Sequence, residues 1–253
     1  MFNNLVPRSL SWLSSLTGVF NYMHADGVIQ NMVLKYGNCQ TYQDSGRVEG
    51  GQGITTFKTY FVRPNKFRFD WIYEDLGSKR NSIWSDGLKV FSRHSFNNEL
   101  EEESNLNVAI AGATGVSQGT AHTVSTLLMP DLEVSLNSRT LLKLCPYEFR
   151  ESEIESNDSC FRVRSTEANN QADLWIRMSD YALVKYLEET TLTQEDEENT
   201  LAALSEMNPA LWEDMRQYLS TRSDEACHSV TNSQYQHVLF DASIDEKIFA
   251  GLD

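Results

Sequence analysis

Residues 66–73 read KFRFDWIY, and this stretch restricts the architecture around it more than any other in the chain. Phe67, Phe69, Trp71 and Tyr73 alternate with Arg68, Asp70 and Ile72, so an extended backbone sets four rings on one side and mostly polar groups on the other. A strand of that kind buries one face and belongs to an antiparallel sheet with a single apolar side. Soon after it, Asp86-Gly87 divides 80–85 from 88–94, a dipeptide suited to the positive φ values of a two-residue hairpin turn.

The flanking sequence extends the pattern in both directions. His24 to Tyr36 spaces Val28, Ile29, Met32, Val33 and Tyr36 at helical intervals, which predicts a short helix packed on a sheet. Strands are predicted at 38–51 and 54–63, and the polar run NNELEEESN then opens a region of small residues and helical spacing, 104–129. Two short helices joined by a Gly-rich bend are expected there, closed by Pro130. Strands resume at about 138–149, 158–165, 172–178 and 181–189, the third setting Ala172, Leu174, Ile176 and Met178 on one side. An acidic stretch from 194 leads into a helical pattern at 200–220 carrying Leu201, Leu204, Leu211, Met215 and Leu219, before a last strand at 234–241. Helix, several strands, helices, then several strands is the order of an α+β fold with one antiparallel sheet. Residues 1–24 are set apart as an N-terminal segment, and 25–253 are read as one domain with an acidic helical insertion at about 194–232.

Charge and motif content exclude several functions. Thirty-six acidic side chains against 21 Lys and Arg give a formal charge of −15, a field that repels nucleic acid backbones. LSWLSSLTGVFNYM near the start is too short and too polar to cross a bilayer, so no integral membrane segment is expected. It reads either as an amphipathic helix with Leu10, Leu13, Leu16 and Phe20 on one side or as a faint secretion signal. Cys39, Cys145, Cys160 and Cys227 are far apart, and the five histidines fall singly, so no metal site and no cofactor motif is expected. The thiols read as free and buried, or as a framework in which Cys145 and Cys160 pair.

One catalytic pattern is present: Gly115-Val116-Ser117-Gln118-Gly119 is a literal G-x-S-x-G. In an α/β hydrolase that serine sits between a parallel strand and a helix, a setting that antiparallel hairpins do not provide. Ser117 is therefore expected to cap a helix at a bend, with a serine esterase or lipase as the alternative. More unusual are the 12 Phe, 10 Tyr and 5 Trp gathered on predicted strands. A long sheet covered only by short helices curls, and its inner face is filled by side chains or left for a guest.

Arg63-Pro64-Asn65-Lys66-Phe67, the aromatic strand to Trp71 and Ser85-Asp86-Gly87 together resemble the RPNxF and SDG signatures of the LolA/LolB-like lipoprotein carrier superfamily. Leu127-Leu128-Met129-Pro130 is similar to an LL-P element of related periplasmic families. The resemblance covers roughly 25–190 and the last strand. It implies a single curved antiparallel sheet, an unclosed half-barrel, with helices covering the concave face as a lid. It also implies a periplasmic, non-enzymatic monomer that binds an acyl chain or lipoprotein, with an envelope protein as a further partner. The ligand-binding set expected on this reading is Phe57, Phe61, Arg63, Pro64, Phe67, Phe69, Trp71, Trp84, Leu174 and Ile176. Arg63 matches the family arginine that reaches the lid; as an isolated feature it would read as a strand-end arginine paired with a carboxylate. A structural envelope protein with a filled core is the remaining alternative.

Overall fold

The computed structural model of the protein describes residues 25–74, 80–95, 99–132, 141, 147–165, 170–192 and 227–251. The chain enters through α1 (Ala25–Asn38), whose Ala25, Val28, Ile29, Met32 and Tyr36 form one buried stripe. Asp26 in its first turn and Lys35 in its last suit the helix dipole. Six strands follow as a meander: β1 (Thr41–Gly50), β2 (Gly53–Val62), β3 (Lys66–Tyr73), β4 (Arg80–Asp86), β5 (Val90–Arg93) and β6 (Leu100–Glu103). The connection beyond β6 carries α2 (Leu106–Val116), α3 (Thr120–Thr123) and α4 (Ser125–Leu128). Five more strands complete the sheet: β7 (Tyr147–Glu155), β8 (Asp158–Ser165), β9 (Asn170–Arg177), β10 (Leu183–Leu192) and β11 (Cys227–Phe240).

All eleven strands form one antiparallel sheet in the order β6-β5-β4-β3-β2-β1-β11-β10-β9-β8-β7. The sheet is curved and does not close, since β6 and β7 stand at opposite edges. The first meander runs outward from β1, the helices carry the chain across the concave face to the far edge, and the second meander runs back until β11 pairs with β1. In crossing, α4 packs on α1, α2 packs on β4 and β5, and α1 reaches β7. The buried stripes of these helices and the inward rings of the sheet form a single apolar cluster.

Hairpin chemistry holds the register. Asp86 Oδ1 accepts from Leu88 N (2.7 Å) and Lys89 N (2.8 Å), Gly87 supplies φ 98, and these amide bonds pull the Asp86 carboxyl below its ordinary pKa. Asn65 Nδ2 donates to Gly87 O (2.9 Å), so the RPN and SDG motifs touch at one end of the sheet.

The structure departs from several expectations. Residues 100–103 form β6 where only a polar run was expected, and the strand expected at about 138–149 is described from Tyr147, running on to Glu155, while 138–140 and 142–146 lie outside the described residues. These are the edge strands, which tolerate charge because each has one neighbour. Residues 227–232, assigned to the acidic helical insertion, belong to β11; its remainder at 194–226 lies outside the described residues, as does the segment 1–24. The face of β3 that carries Arg68 and Asp70 is also buried. A 3-10 turn at Glu246–Ala250 lies across β3 and β4 there, with Phe249 buried and Arg68 Nη1 donating to Ile248 O (2.7 Å). Cys39 and Cys160 are buried free thiols, their pKa values raised chiefly by burial, and Cys145 lies outside the described residues.

Candidate functional site

The concave face is built row by row from cross-strand neighbours, which share a side of the sheet. Phe61 opposes Phe67 and Phe57 opposes Trp71 between β2 and β3, while Phe69 lies between them opposite Thr59. Their rings touch in sequence: Tyr235 and Phe57 at 5.4 Å, Phe57 and Phe69 at 6.0 Å, Phe69 and Trp71 at 5.6 Å. Phe57 lies flat over β1 because Gly46 faces it, and a β-carbon there would run into its ring and into Gln234 O. In the second meander Leu174 and Ile176 face inward from β9, opposite Tyr186 and Leu183 of β10 and Val163 and Phe161 of β8. All of these inward rings and aliphatic side chains belong to the single buried cluster beneath the helices.

Trp84 does not join them. In the β3–β4 register it opposes Arg68, whereas Ile83 opposes Phe69, so Trp84 points to the convex side. There it stacks on Phe91 at 5.4 Å, lies under the Arg68 and Arg93 guanidinium groups and packs against Gly251 of the C-terminal segment. Arg68 and Ser82 both bond the Asp70 carboxylate beside it, at 2.9 and 2.6 Å.

Arg63 stands where the concave face meets two helix ends. Its Nε donates to Cys39 O (2.9 Å), and its Nη2 donates to Tyr36 O (3.2 Å) at the end of α1 and to Leu128 O (3.2 Å) at the end of α4. Those are carbonyls that a terminating helix leaves without an internal partner, and a cation is favoured there by both helix dipoles. The planar fork can serve three carbonyls at once, which an ammonium on a flexible stem would do poorly. The Arg63–Pro64 peptide bond is cis.

The other end of the α3–α4 segment is held by Gln118. Its Nε2 donates to Gly53 O (3.1 Å) and Thr55 Oγ1 (3.3 Å), and its Oε1 accepts from Gln52 N (3.4 Å), so one amide spans the β1–β2 hairpin. Gly50 leaves the room: a β-carbon there would collide with that amide oxygen. The helical segment is thus fastened at both ends, by Gln118 to the start of β2 and by Arg63 from just beyond its end. Ser117 is fully buried and closes α2, its N–H donating to Thr114 O; its Oγ accepts from Ala121 N (3.1 Å) in the first turn of α3, whose own N-cap is Gly119.

Polar groups that sequence reasoning missed lie within the concave face. Asp44 opposes Thr59 and is 4% exposed; its carboxylate accepts from Tyr42 OH (2.6 Å) and Thr59 N (3.0 Å), and burial lifts its pKa to about 6 against the pull of those bonds. Tyr36 of α1 receives Leu183 N on its hydroxyl (3.0 Å), tying the helix to β10. A pocket of about 310 Å³ opens elsewhere, at the β4–β5 turn, β6 and the start of α2, between Lys89, Glu102 and Leu106.

No protein-family model matches the chain, and no curated protein matches it. Solved structures similar to it include a conserved protein from Thermus thermophilus, at 7% identity and TM-score 0.47, covering 90% of this chain and 94% of that one. Another is the Pseudomonas aeruginosa MucA/MucB complex, at 7% identity and TM-score 0.42, where 88% of this chain spans 59% of that one. A third is a domain described as an outer membrane lipoprotein-sorting protein from Vibrio parahaemolyticus, at 10% identity and TM-score 0.34, covering 88% of this chain and 94% of that one.

Proposed function

We propose that this protein is a non-enzymatic carrier that takes an acyl chain, free or attached to a lipoprotein, between the concave face and its covering helices. The observation that carries the reading is the Arg63 latch, in which one guanidinium joins the ends of α1 and α4 over an aromatic sheet face. Three hydrogen bonds to helix-end carbonyls are a closure that can be made and broken without unfolding the sheet beneath. A chain entering there is driven by apolar area at about 0.8 kcal/mol per CH₂, so sixteen carbons need no charged contact. The proposed lining is Phe57, Phe61, Phe67, Phe69, Trp71, Leu174 and Ile176, with Arg63 and Pro64 at the latch. By its motif resemblance we assign the protein to the periplasm, as a monomer that hands its cargo to another envelope protein. No helix among the described residues is long and apolar enough to cross a membrane.

Titration with a fluorescent C16 fatty acid tests this. Saturable one-to-one binding, displaced by unlabelled palmitate, is expected. In Arg63→Ala, amide exchange across residues 120–128 should quicken and the labelled chain should leave faster, while the sheet amides stay protected. Absence of saturable binding by the wild-type protein sinks the carrier and leaves a structural protein with a closed core.

A further inference from the structure

One register row crosses the middle of the concave face: Tyr235 of β11, Gly46 of β1, Phe57 of β2, Trp71 of β3 and Asn81 of β4. Three of its members end in hydrogen-bond donors, and the Tyr235 hydroxyl, Trp71 Nε1 and Asn81 Nδ2 are all buried with no partner. The residues are 3%, 0% and 4% exposed, so bulk water does not serve them. Thr123 of α3 is the polar neighbour of the Tyr235 hydroxyl, but its own hydroxyl donates to Gly119 O (3.0 Å) and no bond of ordinary geometry joins the two. Tyr73 is likewise the polar neighbour of the Trp71 indole, again without a bond of ordinary geometry.

Asn81 is oriented by a second contact. Its Oδ1 accepts from Ser95 N (2.8 Å), a group that can only donate, so the amide nitrogen and its two protons point the other way. Trp71 is its direct cross-strand partner, one strand spacing or about 5 Å away, and the His94 ring meets the indole edge-on at 5.9 Å. A buried donor without an acceptor is a standing cost to the closed state, and two adjacent ones are relieved together by a single acceptor-rich group. The sign of the local charge narrows that group further. The row contains no cation, and the Asp44 carboxylate, two residues from Gly46 on the same face, is bonded by a tyrosine and an amide and by no cation. An anionic head is disfavoured there, whereas an uncharged carbonyl is not.

Resting on the carrier reading above, we propose that Trp71 and Asn81 form a recognition site for the carbonyl oxygens of a neutral acyl ester or amide. The aromatic row receives the hydrocarbon, and the donor pair fixes how far the chain enters by holding its carbonyl.

Methyl decanoate and n-tridecane, which have equal numbers of heavy atoms, separate the two contributions when each displaces the fluorescent fatty acid. The alkane leaves water more readily, so the donor pair is read as a ratio: the ester-to-alkane affinity ratio of the wild-type protein should exceed that of a protein lacking the donors by about tenfold, the size expected of one well-made hydrogen-bond pair. Trp71→Phe keeps a ring and removes the N–H, and Asn81→Asp keeps the acceptor for Ser95 N and removes the donors. Each should lower the affinity for the ester relative to that for n-tridecane by about that factor, and the ratio is read within each protein so that any change in alkane packing cancels. In wild-type protein labelled with ¹⁵N-tryptophan, the Trp71 indole proton should move downfield with the ester and not with the alkane, a readout that does not depend on any variant folding. An ester-to-alkane ratio that is the same in wild type and both variants, with the indole signal unmoved, overturns the recognition site and leaves the carrier standing. If neither ligand displaces the probe, the carrier reading falls and this inference falls with it.

Discussion

Asp44 is a carboxylate that the fold keeps among rings, and its cost can be stated with a sign. In the folded chain its pKa is lifted to about 6 from an ordinary 3.8, so between those values the native state holds a proton that the unfolded chain has released. Stability from this group is therefore present below about pH 4 and is lost as pH rises through 6. The two-unit difference corresponds to roughly 3 kcal/mol at neutral pH as an order of magnitude. Asp44→Asn should raise the melting temperature at pH 8, and the gain over wild type should vanish at pH 4. Melting curves of both proteins across that range check it, and a constant offset at every pH would count against the buried carboxylate as the cause. Ser117 shows the opposite case, a residue conspicuous in sequence whose hydroxyl is consumed by the first turn of α3. Three fixed positions in five specify a small residue on each side of a serine, and here Gly115 lies within α2 while Gly119 serves a bend, taking φ 85 after Gln118 at φ 54.

At the scale of elements, the segment from Gln118 to Leu128 is the moving part on the proposed reading, and its two fastenings are unequal. Arg63 brings a charge to three carbonyls, while Gln118 makes neutral bonds to a hairpin. The hairpin end should loosen first. Gly50→Ala displaces the Gln118 amide without touching the helix, and Gln118→Ala removes it. Both should speed amide exchange near 117–121 and lower stability by about 1 kcal/mol, with the exchange at 125–128 little changed. Equal loosening along the whole segment would argue for a single rigid lid held by Arg63 alone. How much of this was legible in the sequence follows from which interactions are local. The strict alternation of Phe67, Phe69 and Trp71 fixes one face of β3 whatever its neighbours are, and the two turn motifs name their own hairpins. In β4, Ile83 and Trp84 are adjacent and both apolar, so the strand's own pattern does not decide which faces inward; the pairing with β3 does, and it turns Trp84 outward. β7 reads YEFRESEIE, with charge on both faces and a bulge between Phe149 and Glu151, and an edge strand with those features has no periodic signature to detect. Tyr235, Trp71 and Asn81 come together only through strand pairings that no local pattern encodes.

For the molecule as a whole, the burial of both faces of β3 depends on the chain's last residues. Deleting 246–253 removes Phe249 from its site, exposes Trp84, unpairs Lys66 from Glu246 (2.9 Å) and takes the Ile248 carbonyl from the buried Arg68. The loss should amount to about 3–5 kcal/mol, the sum of one buried aromatic and one lost hydrogen bond to a charged group that keeps its Asp70 partner. Urea unfolding measures it, and fatty acid affinity should survive in the truncated protein below its transition, because Glu246–Gly251 lie on the convex side. A truncation that abolishes binding while remaining folded would contradict that division of the two faces.

The seam between β1 and β11 pairs Tyr42 with Phe240 and Glu49 with Asn232, so the sheet's middle is stitched from the beginning and the end of the described chain. A nascent polypeptide still lacking its final stretch owns two half-sheets with raw inner borders and no common floor. The two halves can join only once β11 has been made, so the assembly of the whole sheet comes later than that of either meander.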